Sequence, residues 1–231
     1  MSLPASPLRT TVLFHLGSLP LSETVVTTWI LMMVMAGGAL LLSRRLRVEQ
    51  PGAVQVVLEW LLQIVDEQIR GATRLEPAPY RPLIATLFLF ILVANLSSLI
   101  PGVEPPTGRL ETDAALALIV FAAVIHFGIR RCGLRGYLRS FADPSWVMVP
   151  LNLIEQLTRT FSLMLRLFGN VMAGIFVVGI VLSLAGLLVP IPFMALDVLT
   201  GIVQAYIFAV LAVVFIGAAT GEAGQSPTDP S

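Results

Sequence analysis

Residues 167–196 read LFGNVMAGIFVVGIVLSLAGLLVPIPFMAL, 30 positions without a charge. Asp197 follows, and then 24 more uncharged residues run from Val198 to Gly221. A helix crosses a hydrocarbon core in about 20 residues, so each run exceeds one perpendicular crossing. Val189-Pro190-Ile191-Pro192 falls near the junction, and proline removes backbone donors and breaks a helix. The segment therefore reads as two long, strongly tilted membrane helices, 145–189 and 192–220, closed as a hairpin. Upstream, 20 uncharged residues separate Glu23 from Arg44, 22 separate Arg81 from Glu104, and 16 separate Asp113 from Arg130. Each gap suits one crossing, giving transmembrane helices over 24–43, 82–101 and 114–130. Residues 1–23 and 221–231 then form an outer N-terminal segment and a small polar inner tail.

Between the first two spans, Val54, Val57, Leu58, Leu61, Val65 and Ile69 recur at helical spacing, with Gln55, Glu59, Gln63, Asp66 and Arg70 on the other side. This pattern predicts an amphipathic helix over 51–70 lying in the membrane interface. The expected fold is thus an all-α integral membrane protein in one domain: three transmembrane helices, one interfacial helix and a tilted C-terminal hairpin.

Composition agrees with a lipid setting and excludes several chemistries. Of 231 residues, 56% are hydrophobic and 12% charged, against about 25% charged in soluble domains. The 14 basic residues are all Arg. Without Lys there is no Walker A phosphate loop and no Schiff base. One cysteine, Cys132, excludes an intramolecular disulfide and Cys-cluster metal sites, and His15 and His126 have no zinc-ligand spacing. No metal or cofactor is expected.

Arginine sets the orientation. With the N-terminus outside, the inner loops carry ten arginines: Arg44, Arg45, Arg47, Arg70, Arg74, Arg81, Arg130, Arg131, Arg135 and Arg139. The outer segments carry two, Arg9 and Arg109. The C-terminus comes out on the cytoplasmic side. No signal peptide is expected, because the first apolar run begins late.

The polar residues of the fifth helix fall on one line. At about 100° per residue, Asn152, Glu155, Arg159, Ser162, Arg166 and Asn170 occupy a sector of roughly 80°. An Arg near the membrane interior costs about 2.5–3.5 kcal/mol on insertion scales. Arg166 lies two turns deeper than Arg159, too far in for easy snorkelling, and is the candidate functional cation. Asp197 and Gln204, seven residues apart on the sixth helix, share a face, with Asp197 toward the outer side and Gln204 near the middle, opposite Arg166 if the hairpin closes. Asp197 reads either as a water-facing carboxylate at the membrane edge or as a proton-accepting station. Arg159 suits an inner vestibule or lipid phosphates equally. Asn95 either lines the outer path or satisfies a neighbouring backbone group.

Ser162-Leu-Met-Leu-Arg166-Leu-Phe-Gly-Asn170, followed by Ala173-Gly174, resembles the signature of subunit a of F-type ATP synthases. The likeness extends through Thr27-Thr-Trp-Ile, Arg45-Leu-Arg47, Asn95-Leu-Ser-Ser-Leu-Ile-Pro101, Pro106-Thr107, Pro150-Leu-Asn-Leu-Ile-Glu155 and Gln204-Ala-Tyr-Ile-Phe208. The middle region also resembles the N-type subgroup of these ATPases.

The resemblance implies a stator subunit of the membrane rotary motor, itself without catalytic activity. Arg166 would be the essential arginine that faces the carboxylate of the rotating c-ring and separates two ion half-channels. Asn170 and Gln204 would line the path beside it, and Ser162 belongs to the same signature. Glu155 would serve the inner half-channel. Asp197 falls where the family often carries His or Glu, but Ile175 stands where many members carry the acidic or His partner. The implied partners are the c-ring, the peripheral-stalk b subunits, membrane lipid and H⁺, or Na⁺ in a sodium-coupled version. Neither nucleotide nor nucleic acid is implied, and the implied location is the inner membrane. A stand-alone transporter or channel is the competing class. It would commonly show inverted repeats, whereas the two halves here differ.

Overall fold

The computed structural model of the chain describes residues 12–16, 19–44, 52–73, 76–100, 105–142, 148–185 and 189–221. Arg45, Arg47, Arg74, Glu104, Pro101 and the tail beyond 221 lie outside the described residues. The elements are strands β1 (Val12–Leu16) and β2 (Leu19–Ser22), then helices α1 (Glu23–Ser43), α2 (Ala53–Thr73), α3 (Arg81–Leu96), α4 (Leu110–Ala142), α5 (Met148–Ala185) and α6 (Pro190–Gly221). Short 3₁₀ turns at Ser97–Leu99 and Pro106–Gly108 bracket the passage from α3 to α4. Five stretches are long and apolar enough to cross a membrane: Val25–Ser43, Arg81–Leu99, Leu110–Arg139, Met148–Leu184 and Pro190–Thr220.

Helix α6 is the hub, packed against α2, α3, α4 and α5. Its inward face carries Gly201, Ala205, Phe208, Ala209, Ala212 and Ile216, all buried. Small residues at this spacing let backbones approach closely, which drives helix association where lipid and core are equally apolar. Ile84, Leu87 and Ile91 of α3, Val120 and Val124 of α4, and Leu163 and Leu167 of α5 complete the core. By contrast α1 is largely exposed, and Leu31 is its one buried residue among those described.

Three features differ from the sequence reading. First, an antiparallel pair, β1 with β2, sets Leu16 opposite Leu19 and Val12 opposite Ser22, so the described residues before α1 are strands. Val12 and Phe14 in β1 are of the β-branched and aromatic types that favour strands. Second, α6 begins at Pro190, ahead of Pro192. Proline fits the first helical turn because its missing N–H would have no intrahelical partner there. Third, α2 is not simply amphipathic toward lipid. Val65 and Ile69 are buried in the core, Val54, Val57 and Trp60 are exposed, and Gln55, placed on the polar side by periodicity, is buried and donates to Glu59 at 2.8 Å. An ion pair ties α2 to α3, with Arg81 Nε donating to Asp66 Oδ1 at 2.6 Å and a second Arg81 nitrogen pairing with Oδ2.

Helix α4 runs well past the span read from charge gaps and is broken at Gly133, with φ 71° and ψ 161°. That region of backbone space is essentially closed to residues with a Cβ and costs about 1–3 kcal/mol when forced. Beyond the break the chain turns back, bringing the Tyr137 ring against Gly128. Gly133→Ala is expected to lower stability by about 1–3 kcal/mol, read as a lower thermal midpoint of the detergent-solubilised protein. Gly37→Ala, in α1 with open space around its Cβ position, should leave the midpoint unchanged.

Candidate functional site

Helix α5 sorts its residues by chemistry around its axis. Leu163, Leu167 and Val171 recur every fourth residue and form the buried stripe that meets the bundle. The polar line lies about 100° round the helix from it. There Ser162, Glu155 and Arg166 are exposed, while Asn152, Arg159 and Asn170 are half-buried. The polar line thus borders the packed face and looks outward from the bundle, not into it.

The two arginines of this line have different surroundings. Arg159 pairs with Glu155 one turn earlier, and its guanidinium lies 5.4 Å from the centroid of the Phe215 ring on α6. Both contacts hold it in place. Arg166 makes no ion pair or hydrogen bond with any other described residue. It is a guanidinium in the middle of a 37-residue apolar stretch, exposed and neutralised by no other described residue.

Two contacts fix the register of the α5–α6 hairpin. Gly174 lies beside Asp197, and Arg159 lies beside Phe215. Interpolating between them sets Gln204 level with Leu167–Asn170, at the depth of Arg166. Gln204 itself is buried, and its Nε2 has no partner among the described residues. Arg166 and Gln204 share a depth, then, but no hydrogen bond joins them.

Toward the loop between the two helices, a cavity of about 240 Å³ is lined by Ser98, Pro105, Gly174, Ile175, Met194 and Asp197, among others. Asp197 is half-buried in its wall. The Ser98 hydroxyl lies 3.4 Å from Asp197 Oδ2 and donates to the Asn95 carbonyl at 2.7 Å. Asp197 can stand there because residue 174 is glycine: a Cβ at 174 would come within 2.7 Å of the Asp197 carboxyl carbon.

A second polar group braces the same end of the bundle. Asn95, buried in α3, donates from Nδ2 to the Gly201 carbonyl at 2.9 Å and accepts from Thr107 Oγ1 at 2.7 Å. Its side chain joins α3, α6 and the turn before α4. The Gly201 Cβ position would lie 3.0 Å from Asn95 Cβ, so the close approach needs glycine there. Asp113, on the first turn of α4, is fully buried with neither carboxylate oxygen hydrogen-bonded to a described residue.

Of the residues singled out in the sequence, Asp197 is thus brought to a cavity, Glu155 to Arg159, and Gln204 into the core. Arg166, Ser162 and Asn170 line an open face. Asn95 turns out to be a three-way brace, and Asp113 was missed because it counts as a loop charge when spans are drawn between charges. Its signal was present: Asp113, Ala117, Val120 and Val124 follow one helical stripe, all buried.

The fold and site define a class: a multi-pass helical membrane protein with an outward-facing intramembrane cation and polar groups threaded between its long helices. Comparison with known proteins gives the family. The family described as ATP synthase A chain matches residues 25–217. The chain is 53% identical over 221 residues to "ATP synthase subunit a 2" of Bradyrhizobium sp. (strain BTAi1), covering 96% of this chain and 99% of that protein. It is 49% identical over 210 residues to "ATP synthase subunit a 1" of Chlorobaculum parvum, covering 90% and 93%. Against "ATP synthase subunit a" of Albidiferax ferrireducens it is 46% identical over 205 residues, covering 88% and 89%. The chain belongs to the ATP synthase subunit a family, whose members are non-catalytic membrane subunits.

Gly174→Ala should overpack the α5–α6 contact and lower stability by about 1–3 kcal/mol. Gly179→Ala, five residues along the same helix with nothing near its Cβ position, should not. Thermal unfolding of the two variants side by side checks this.

Proposed function

We propose that this subunit is the stator half of an H⁺-driven rotary motor, working against a ring of c subunits with two offset half-channels. The observation that carries the reading is Arg166, an exposed cation on a long apolar helix with no partner among the described residues. A guanidinium keeps its charge at any working pH, and in lipid it needs an anion. A ring of helices that each carry one carboxylate would supply that anion repeatedly, as each carboxylate passes.

The ring's carboxylates can travel through lipid only when neutral, because an ion there costs several kcal/mol. At Arg166 each would lose its proton toward one side and regain one from the other. The fixed positive charge favours the deprotonated carboxylate as it passes and repels protons that would leak directly across. Each charge crossing 100 mV carries about 2.3 kcal/mol, so attraction to Arg166 has to stay within a few kcal/mol for the ring to move on. Asn170 and Gln204, at the same depth, offer amides that would moderate it.

The cavity beside Asp197 suits the outer half-channel, with room for several waters and a carboxylate in its wall. The Glu155–Arg159 pair, some two turns nearer the other end, suits the inner vestibule. The N-terminus is then outside and the C-terminus cytoplasmic, a reading that the arginine distribution supports. Helix α5 has 38 residues and spans about 57 Å, nearly twice a hydrocarbon core of about 30 Å, so the α5–α6 hairpin lies steeply tilted. A tilted hairpin presents a long oblique face to a ring. The peripheral-stalk b subunits would contact the helices remote from that face.

The test is ATP-driven acidification of inverted membrane vesicles. Wild type should pump in a protonophore-sensitive manner. Arg166→Ala should reduce pumping to background while the c-ring still co-purifies, and Arg166→Lys should retain little, because lysine has no planar fork and can shed its charge on burial. Normal pumping by assembled Arg166→Ala would refute the mechanism, and protonophore-resistant Na⁺ uptake would change the ion.

A further inference from the structure

Asp113 is the one buried carboxylate among the described residues to which the account above gives no role. It is fully buried, and neither oxygen has a hydrogen-bond partner among the described residues. An acidic residue in the first turn of a helix commonly caps backbone N–H groups or meets the positive end of the helix dipole. Here no backbone N–H of a described residue bonds to either oxygen, so capping does not account for it. An unpartnered buried carboxylate is costly as an anion and far less so as an acid. Asp113 must therefore either carry a proton or meet water.

The chain that leads to it starts in the cavity wall. Pro105 lines the cavity beside Asp197. The Gly108 amide bonds to the Pro105 carbonyl at 2.9 Å, Arg109 to Pro106 at 3.2 Å, and Asp113 to Arg109 at 3.2 Å. The 3₁₀ turn Pro106–Gly108 thus leads, through an extended Arg109, directly into the first turn of α4, which carries Asp113. Gly108 sits against Ile175, its Cβ position 3.3 Å from Ile175 Cδ1, so this turn packs beside the cavity. The α5 side of that cavity is apolar, formed by Gly174, Ile175, Val178 and Gly179.

Depth supplies the other end of the path. Asn95 holds Gly201 and Thr107 at one level through its two hydrogen bonds. From there α4 and α6 both run inward, bringing Asp113 to the first turn of one and Gln204 one turn beyond Gly201 on the other. Among the described residues, Gln204 Nε2 is a buried donor without a partner, and the Asp113 oxygens are buried acceptors without one. α4 and α6 pack together, and a water could join complementary groups of this kind.

We propose that Asp113 is a proton-holding station of the outer half-channel, lying between the Asp197 cavity and Gln204; this rests on the stator reading. Resting as the neutral acid, Asp113 passes its proton through water at the Gln204 level to an ionised ring carboxylate, so that the O–H bond broken at Asp113 is replaced by one on the ring. The Asp113 carboxylate left behind takes a proton from hydronium in the cavity, which leaves water, and the acid is restored for the next. Among the described residues, the ionisable groups at this end are Asp197 on α6, Glu23 at the start of α1, which packs on the Pro106–Gly108 turn, and, on α4's own entry, Arg109 and Glu111. Neither α3 nor the inward stripe of α5 brings one here.

The experiment uses the assembled complex in inverted vesicles, with Asp113→Asn, Asp113→Thr and Asp113→Glu beside Arg166→Ala. Asp113→Asn keeps shape and loses only the ability to exchange a proton. It should assemble with the ring and slow H⁺ pumping at least tenfold, as should Asp113→Thr, while Asp113→Glu keeps most of the rate. Wild-type pumping by either assembled uncharged variant overturns the proposal, and so does failure of both to assemble, which would make Asp113 structural. If Arg166→Ala is dead and Asp113→Asn is not, only this inference falls. If both pump normally, the stator reading falls with it.

Discussion

A guanidinium can stand in hydrocarbon only beside an anion or water, and the arrangement of α5 follows from that constraint. Leu163, Leu167 and Val171 are spent on the bundle, which leaves the polar line through Ser162 and Arg166 facing out. Nothing described in the chain neutralises Arg166, although Glu155 neutralises Arg159 two turns away. The molecule pairs the arginine at one end of its stripe and leaves the one at the middle for something else. An arginine left unpaired by the described residues is what the proposed contact with a ring of carboxylates calls for.

The small residues serve the same end by different means. Gly174 makes room for Asp197, and Gly201 makes room for Asn95. Each glycine lets a polar side chain sit between helices whose separation a Cβ would have forced wider. The result is a series of polar groups within a bundle whose remaining core is Ile, Leu, Val, Phe and Ala. Asn95, bonded to both Gly201 and Thr107, pins α3, α6 and the turn before α4 at one level, so that the cavity and the helices below it keep their relation.

Much of this was legible in the sequence, for reasons that also explain what was not. Helical periodicity is a property of the chain itself, so the alignment of Glu155, Arg166 and Asn170 on one line could be read directly. Membrane-length helices follow from the absence of charge. Drawing spans between charged residues, however, excludes every ionisable group from the spans by construction. Asp113 was therefore assigned to a loop, while the helix in fact begins at Leu110 and carries it inward. Which face of α5 packs cannot be read from α5 alone, because Leu, Met and Phe serve lipid and core equally. The break at Gly133 and the start of α6 at Pro190 depend on backbone geometry that composition does not encode, and the strand pair before α1 has too short and weak a pattern to stand out.

The central claim is that the polar line of α5 faces the rotating ring. Disulfide cross-linking tests it most directly, in a chain carrying Cys132→Ser. Ser162→Cys lies on the outward line and Leu163→Cys, its neighbour, on the buried stripe. Each would be paired with a cysteine placed one turn from the ring carboxylate. The account predicts an efficient cross-link from position 162 and none from 163. A cross-link from 163 with none from 162 would contradict it, since the ring would then meet the face assigned here to the bundle.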